Sequence, residues 1–187
     1  MKRVLLLGSL LALTPCFAYA EMSYNSFDLN VVDVDLDNTS VDGSGFEIGG
    51  SYELGQHQIF LFGEWQEQNF DFGIDGRSLE LGAGWHHPIS STLDFVGTAS
   101  YIDTRLDAGN FSADDDGLAL GGGIRTTIGN SFQLDAMLRY VDFDEGGSDT
   151  GVRVNGRWYF SKRMAVLFGT DLGDNADTLR LGFHAEF

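Results

Sequence analysis

Hydrophobic side chains recur at every second position along most of the chain, in ten sets opening at Phe27, Phe46, Ile59, Leu79, Leu93, Leu118, Phe132, Val152, Met164 and Leu179. A period of two places each set on one face of a β-strand, whereas a helix would need a period near 3.6. Ten strands are expected. The composition agrees, because 25 glycines against 2 prolines suit strands and tight turns better than helices.

The connections alternate in length. Short ones (GQH at 55–57, HPISS at 87–91, IGNS at 128–131, SKR at 161–163) exchange with segments rich in Asp and Gly: VDLDNTSVDGSG, FDFGIDG, DTRLDAGNFSADDDG, DFDEGGSDTG and GDNAD. Short turns therefore gather at one end and acidic loops at the other. With an even strand number both termini fall on the short-turn end, as an up-and-down antiparallel meander requires.

Alternation alone does not distinguish a soluble barrel with its apolar face inward from a membrane barrel with that face outward. The aromatic positions favour the second. Tyr52, Trp85, Phe132, Trp158, Phe160 and Phe187 lie toward the short turns, and Phe46, Trp65, Tyr101 and Tyr140 toward the loops. These two girdles stand about nine residues apart, matching the interfaces of a bilayer. The expected fold is an all-β, closed antiparallel up-and-down transmembrane barrel. The opposite face then becomes the lumen, with Glu64, Gln66, Glu80, Asp94, Arg125, Asp135, Arg139, Arg153, Arg157, Asp171, Arg180, His184 and Glu186 among its side chains. Buried charges need partners. Strands seven and eight, paired about residue 146, would set Asp135 opposite Arg157 and Arg139 opposite Arg153, with a carboxylate from a neighbouring strand between the two arginines. A similar register would set Asp94 opposite Arg125.

Charge and the amino-terminal residues narrow the class. The 187 residues suit one domain, and 28 acidic against 11 basic side chains give a formal net charge of −17. Such a surface excludes nucleic acid as a partner, which requires clustered Lys and Arg. The first residues combine basic MKR, apolar VLLLGSLLALTPCF and the small-x-small Ala18-Tyr19-Ala20, so 1–20 reads as a cleaved secretory signal peptide and 21–187 as the barrel domain. Cys16 as a lipoprotein acylation site is disfavoured by Pro15 before it. Beyond residue 20 there is no cysteine, so no disulfide is available, and no apolar run of about twenty residues for a spanning helix.

The ending RLGFHAEF, with Arg180, Gly182, Ala185 and a last Phe187, resembles the C-terminal assembly signal of bacterial outer-membrane β-barrels. Together with the leader and the alternation, it makes the chain similar to the small barrels of the outer-membrane protein A and X type. The SYN stretch at Ser23–Asn25 and the Gly- and Asp-rich layout also resemble small barrels of environmental proteobacteria. The resemblance implies an outer-membrane location, insertion by the barrel-assembly machinery, contact with outer-membrane lipid and lipopolysaccharide, and a monomer. Barrels of the protein A and X type have eight strands, so eight is the alternative count.

The implied work is envelope structure and surface interaction, with a narrow passive channel for small polar solutes as the alternative. Lumen charges would form either a cross-linked plug or a channel lining, and Gly82, Gly84, Gly121 and Gly123 would relieve strain in a curved sheet or leave local space. No enzyme is expected. His57, His86, His87 and His184 fall at the short-turn end, away from outer-leaflet substrates, and lack a close metal-ligand motif, so they read as polar girdle residues. No cofactor is expected beyond weak Ca²⁺ or Mg²⁺ binding by Asp114–Asp116 and the spaced Asp33, Asp35, Asp37 and Asp42. An EF-hand is excluded, because Asn38 stands where the turn glycine belongs and Ser44 where the final Glu belongs. Phe70, Phe72 and Phe111 are apolar side chains within the acidic segments and are candidate contact anchors.

Overall fold

The computed structural model describes residues 22–36, 41–55 and 57–187. The expected leader, Cys16, Asp37 and Asn38 lie outside them. Ten strands are formed: β1 (Ser26–Leu36), β2 (Asp42–Glu53), β3 (Ile59–Phe70), β4 (Ile74–Ser90), β5 (Leu93–Ala108), β6 (Phe111–Ile128), β7 (Phe132–Phe143), β8 (Gly147–Tyr159), β9 (Met164–Leu172) and β10 (Ala176–Glu186). Each pairs antiparallel with its neighbours in sequence, and β1 pairs with β10 from Ser26↔Glu186 to Leu36↔Ala176. That last seam closes the sheet into a barrel, so no strand edge is left along the wall. Ten is the strand number, and the eight-strand alternative falls.

The acidic segments are more regular than their composition suggests. What reads as a fifteen-residue loop, DTRLDAGNFSADDDG, is two paired strands joined at Gly109 and Asn110, with Ala108↔Phe111 closing the hairpin. Gly109 has φ of 63° at the first central position, which suits a two-residue hairpin turn. Backbone pairing carries through a polar stretch because period-two pairing does not require apolar side chains on either face above the barrel wall.

The apolar sets face outward. Leu29, Val31, Leu61, Leu81, Leu120, Leu138, Leu181 and Phe183 are all exposed. Of the girdle residues, Tyr52, Trp85, Tyr101, Tyr140 and Phe160 are exposed on the outer face, and Trp65 and Trp158 are half-buried. Phe46 meets Trp65 edge-on at 5.1 Å. Phe187 is exposed and donates its backbone N–H to the Asn25 carbonyl at 3.2 Å.

The lumen is less uniformly polar than the alternation implies. Phe60, Val96, Ile102, Val141 and Leu167 point inward and are buried, each lying beside an outward apolar neighbour in sequence. Gly82 and Gly84 find their explanation here. They neither leave free space nor simply relax curvature: the rings of Phe62 and Phe60, their register partners on β3, lie over them. A Cβ at Gly84 would occupy the position of the Phe60 ring. Gly84→Val should therefore cost about 1–3 kcal/mol by overpacking, measured as a lower urea midpoint of the refolded barrel, whereas Gly122→Ala, with nothing within 4 Å of the added carbon, should change it little.

Candidate functional site: a lumen crossed by ion pairs

Side chains cross the bore in three layers. At the short-turn end the segment before β1 folds back into the mouth, and Tyr24 is only 2% exposed. Its ring stacks on His86 at 4.0 Å and on Phe60 at 4.9 Å, with the Arg125 guanidinium 4.4 Å from the ring centroid on a cation–π contact. The hydroxyl donates to Asp94 Oδ2 at 3.0 Å. Arg125 Nη1 also donates to the Ser23 carbonyl at 3.1 Å, and the Asn25 side-chain oxygen accepts from the Glu53 backbone at 2.9 Å. The segment is thus held from five strands at once, β2 to β6.

Above it, Asp135 on β7 takes Arg125 of β6 at 2.6 Å on one side and Arg157 of β8 on the other. Two arginines share one carboxylate, and Arg125 also holds Ser23 and Tyr24 of the segment before β1.

The central layer spans the whole bore. Arg153 of β8 reaches Glu64 of β3 at 3.0 Å; these two strands stand opposite one another in the ring of ten. The same guanidinium binds Asp171 of β9 at 2.8 Å. Asp171 in turn accepts from Arg180 of β10 at 2.9 Å, and Arg180 Nε lies 3.5 Å from Glu47 of β2. Asn30 of β1 donates to Glu47 at 2.7 Å. Beside this chain Arg139 of β7 donates to Glu80 of β4 at 2.7 Å, and Ser100 of β5 fills the other oxygen of Glu80 at 2.6 Å. Mutual neutralisation and bidentate geometry are what make charges tolerable away from bulk water.

The expected pairings are corrected in detail. The β7–β8 hairpin closes at Phe143↔Gly147, one position earlier than a centre at 146, so Asp135 stands opposite Asn155 and Arg157 opposite Gln133. Asp135 and Arg157 meet diagonally instead. Arg139 stands opposite Gly151 and Arg153 opposite Met137, and the two arginines diverge to Glu80 and to Glu64 with Asp171. Asp94 is opposite Arg125 in register as expected, yet Arg125 turns to Asp135 while Asp94 serves Tyr24 and lies 3.4 Å from His86 Nδ1. Glu186 accepts from the Tyr159 hydroxyl at 2.6 Å. Of the assembly-signal positions, Arg180 and Gly182 face the lumen, while Ala185 pairs with Phe27 at the β1–β10 seam.

His86 belongs to the interior, which corrects its reading as a girdle residue, and His184 faces the lumen, as its parity predicts. His86 Nε2 is 3.1 Å from Glu53, and His184 Nδ1 is 2.7 Å from Asp28 with Nε2 3.5 Å from Glu186. Carboxylates face their ring nitrogens. His87 stacks on the outward Trp85 at 5.6 Å.

Beyond the Tyr101 girdle the acidic side chains are distributed along the hairpins. In the strand Asp114 and Asp116 share one face and Asp115 takes the other, where it accepts from the Glu145 backbone at 3.1 Å. Arg105 and Arg77 donate to Asp107 at 3.1 and 3.3 Å, and Arg105 holds that carboxyl below its usual range. Asp42, hydrogen-bonded to Asp35 across the first hairpin, is raised by that like-charged partner. Phe72 and Phe111 are exposed at hairpin ends.

Alternation does contain Asn30 and Glu47, since both lie at the inward parity of their strands. It has no signal for Tyr24, which precedes the first strand and acts by tertiary contact alone.

A layered polar interior within an outward apolar wall is the reverse of a soluble barrel and meets the demand of lipid that every backbone group be paired internally. Among solved structures, the β domain of the Bordetella autotransporter Brka superposes with a TM-score of 0.58 at 12% identity, over 87% of this chain and 99% of that one. The chain has the fold of the small outer-membrane β-barrels. The translocator domain of autotransporter NalP from Neisseria meningitidis matches with a TM-score of 0.50 at 9% identity, over 87% of this barrel and 88% of that chain. A KdgM porin matches with a TM-score of 0.47 at 13% identity, over 86% and 99%. No family model and no curated protein matches the sequence.

Proposed function

We propose that this chain is an integral protein of the bacterial outer membrane whose closed barrel serves envelope structure and presents its acidic hairpins for surface interaction. The observation that carries this reading is the ion-pair layer from Glu64 through Arg153, Asp171 and Arg180 to Glu47, which ties β3, β8, β9, β10 and β2 together across the bore. Burial of Tyr24 at the short-turn mouth supports it. The hairpins beyond Tyr101 and Tyr140 then face outward, toward the cation-bridged lipopolysaccharide, and the short turns face the periplasm.

Location and orientation are tested together by cysteine labelling in intact cells. Asn110→Cys, at the tip of the β5–β6 hairpin, should react with a membrane-impermeant maleimide, and Asn130→Cys, in the β6–β7 turn, should react only after the outer membrane is permeabilised. Labelling in the reverse order, or of neither site in protein that fractionates with the outer membrane, contradicts the reading.

A further inference from the structure

The central ion-pair layer divides the interior, and on its loop side lies a cavity of about 360 Å³. Its floor is Glu64, Glu80, Arg139, Arg153 and Asp171, in which each charge already has an opposite partner. Above the floor the wall changes character. Gln66, Gln68, Ile102, Thr104, Val141 and Phe143 are among its residues, with Arg77 and Arg105 at the rim paired to Asp107, and Asp149, whose carboxylate is engaged by the Asp174 backbone and the Asn175 amide.

We propose that this vestibule is a binding site for a neutral saccharide. The reason is a contrast of charge and hydrogen-bonding capacity. In a chain with a net charge of −17, the vestibule wall offers amides, hydroxyls and branched or aromatic carbon, while its floor charges pair with one another and Asp149 is held by neutral donors. An ionic ligand would have to break existing pairs, and a purely apolar one would strand polar groups. A sugar satisfies both surfaces, with hydroxyls for the amides and C–H faces for the apolar wall. Gln66 supplies the specific donor: its Nε2 is buried and has no hydrogen-bond partner among the described residues. An unpaired buried donor is costly, and a ligand acceptor placed on it recovers that cost. Ile102 and Val141, 6% and 8% exposed and packed with Ala119 and Phe143, give the apolar face a fixed shape.

The site goes beyond the envelope role and does not require a conducting lumen. Its test is methyl NMR of the refolded, isotope-labelled barrel in nanodiscs, titrated with glucose, with maltoheptaose and with glucuronate. Glucose reports a free monosaccharide and maltoheptaose a glycan chain end. A saturable shift of the Ile102 and Val141 methyls with either neutral sugar is expected, weakened at least tenfold in Gln66→Leu and abolished in Ile102→Trp, which fills the cavity. The folded state of each variant is read from the same spectra through the methyls of Val96 and Leu167, below the floor. The proposal is overturned if no neutral sugar gives a saturable shift, if Ile102→Trp responds like the parent, or if glucuronate binds more tightly than glucose. Failure of the labelling experiment would move the protein out of its assigned membrane orientation without touching this result.

Discussion

Replacing Arg153 by Ala should lower the stability of the barrel by about 3 kcal/mol, the lower end of the cost of breaking a buried ion pair from one side. The side chains involved keep contact with lumen water, with Arg153 19% and Glu64 21% exposed, which argues for that lower end. The loss arises because Glu64 is left facing the bore without its cation, while Asp171 retains Arg180. The double variant Glu64→Gln, Arg153→Met should recover much of the loss, since removing both charges together also removes the desolvation that each imposed. Urea-induced unfolding of the refolded protein in vesicles, followed by Trp fluorescence, measures both. Equal midpoints for the parent and Arg153→Ala would mean that the layer is solvated and contributes nothing to closure.

Tyr24→Ala should cost a comparable amount for a different reason. Truncating a buried aromatic ring costs about 3–5 kcal/mol, and here it removes stacking on His86 and Phe60, the cation–π contact of Arg125 and the hydroxyl bond to Asp94. Tyr24→Phe isolates the hydroxyl and should cost about 1–2 kcal/mol, because Asp94 loses its donor while the ring stays in place. The effect is local to the short-turn mouth, so hydrogen exchange at Asn25 and at the β1–β10 seam should rise in Tyr24→Ala while the amides of β4 and β5 in the wall stay protected. Exchange rising equally around the barrel would place Tyr24 in the global core instead of at a plug.

The barrel was legible because its signals are repetitive. Ten apolar sets in period two, with short and long connections in strict exchange, point to strand number and topology with no knowledge of partners, and the two aromatic girdles decide which face is outward. The lumen was legible as a face and much less so as a network. Parity places Asp135, Arg139, Arg153 and Arg157 inside, but a turn centred at 145 in place of 146 changes every cross-strand neighbour on β7 and β8. Long guanidinium side chains then reach beyond those neighbours, so Arg153 finds Glu64 on the opposite wall. Such a contact depends on the bore's diameter and on side-chain length, neither of which alternation encodes. Phe60 and Val96 were hidden for a related reason: strands with apolar residues on both faces lose their alternation where the interior itself is packed. The acidic hairpins read as loops in sequence because Asp and Gly resemble turn composition, although their backbone pairs as regularly as the rest.

The claim that the ion-pair layer closes the lumen is tested most directly by single-channel recording of the refolded protein in a planar bilayer. The parent should give no reproducible conductance steps, and the combined variant Tyr24→Ala, Glu64→Ala, Arg153→Ala should give them, because it removes the stopper and the bridge across the bore together. Reproducible steps from correctly folded parent protein would contradict the account and make the arginines of the central layer the lining of an open path.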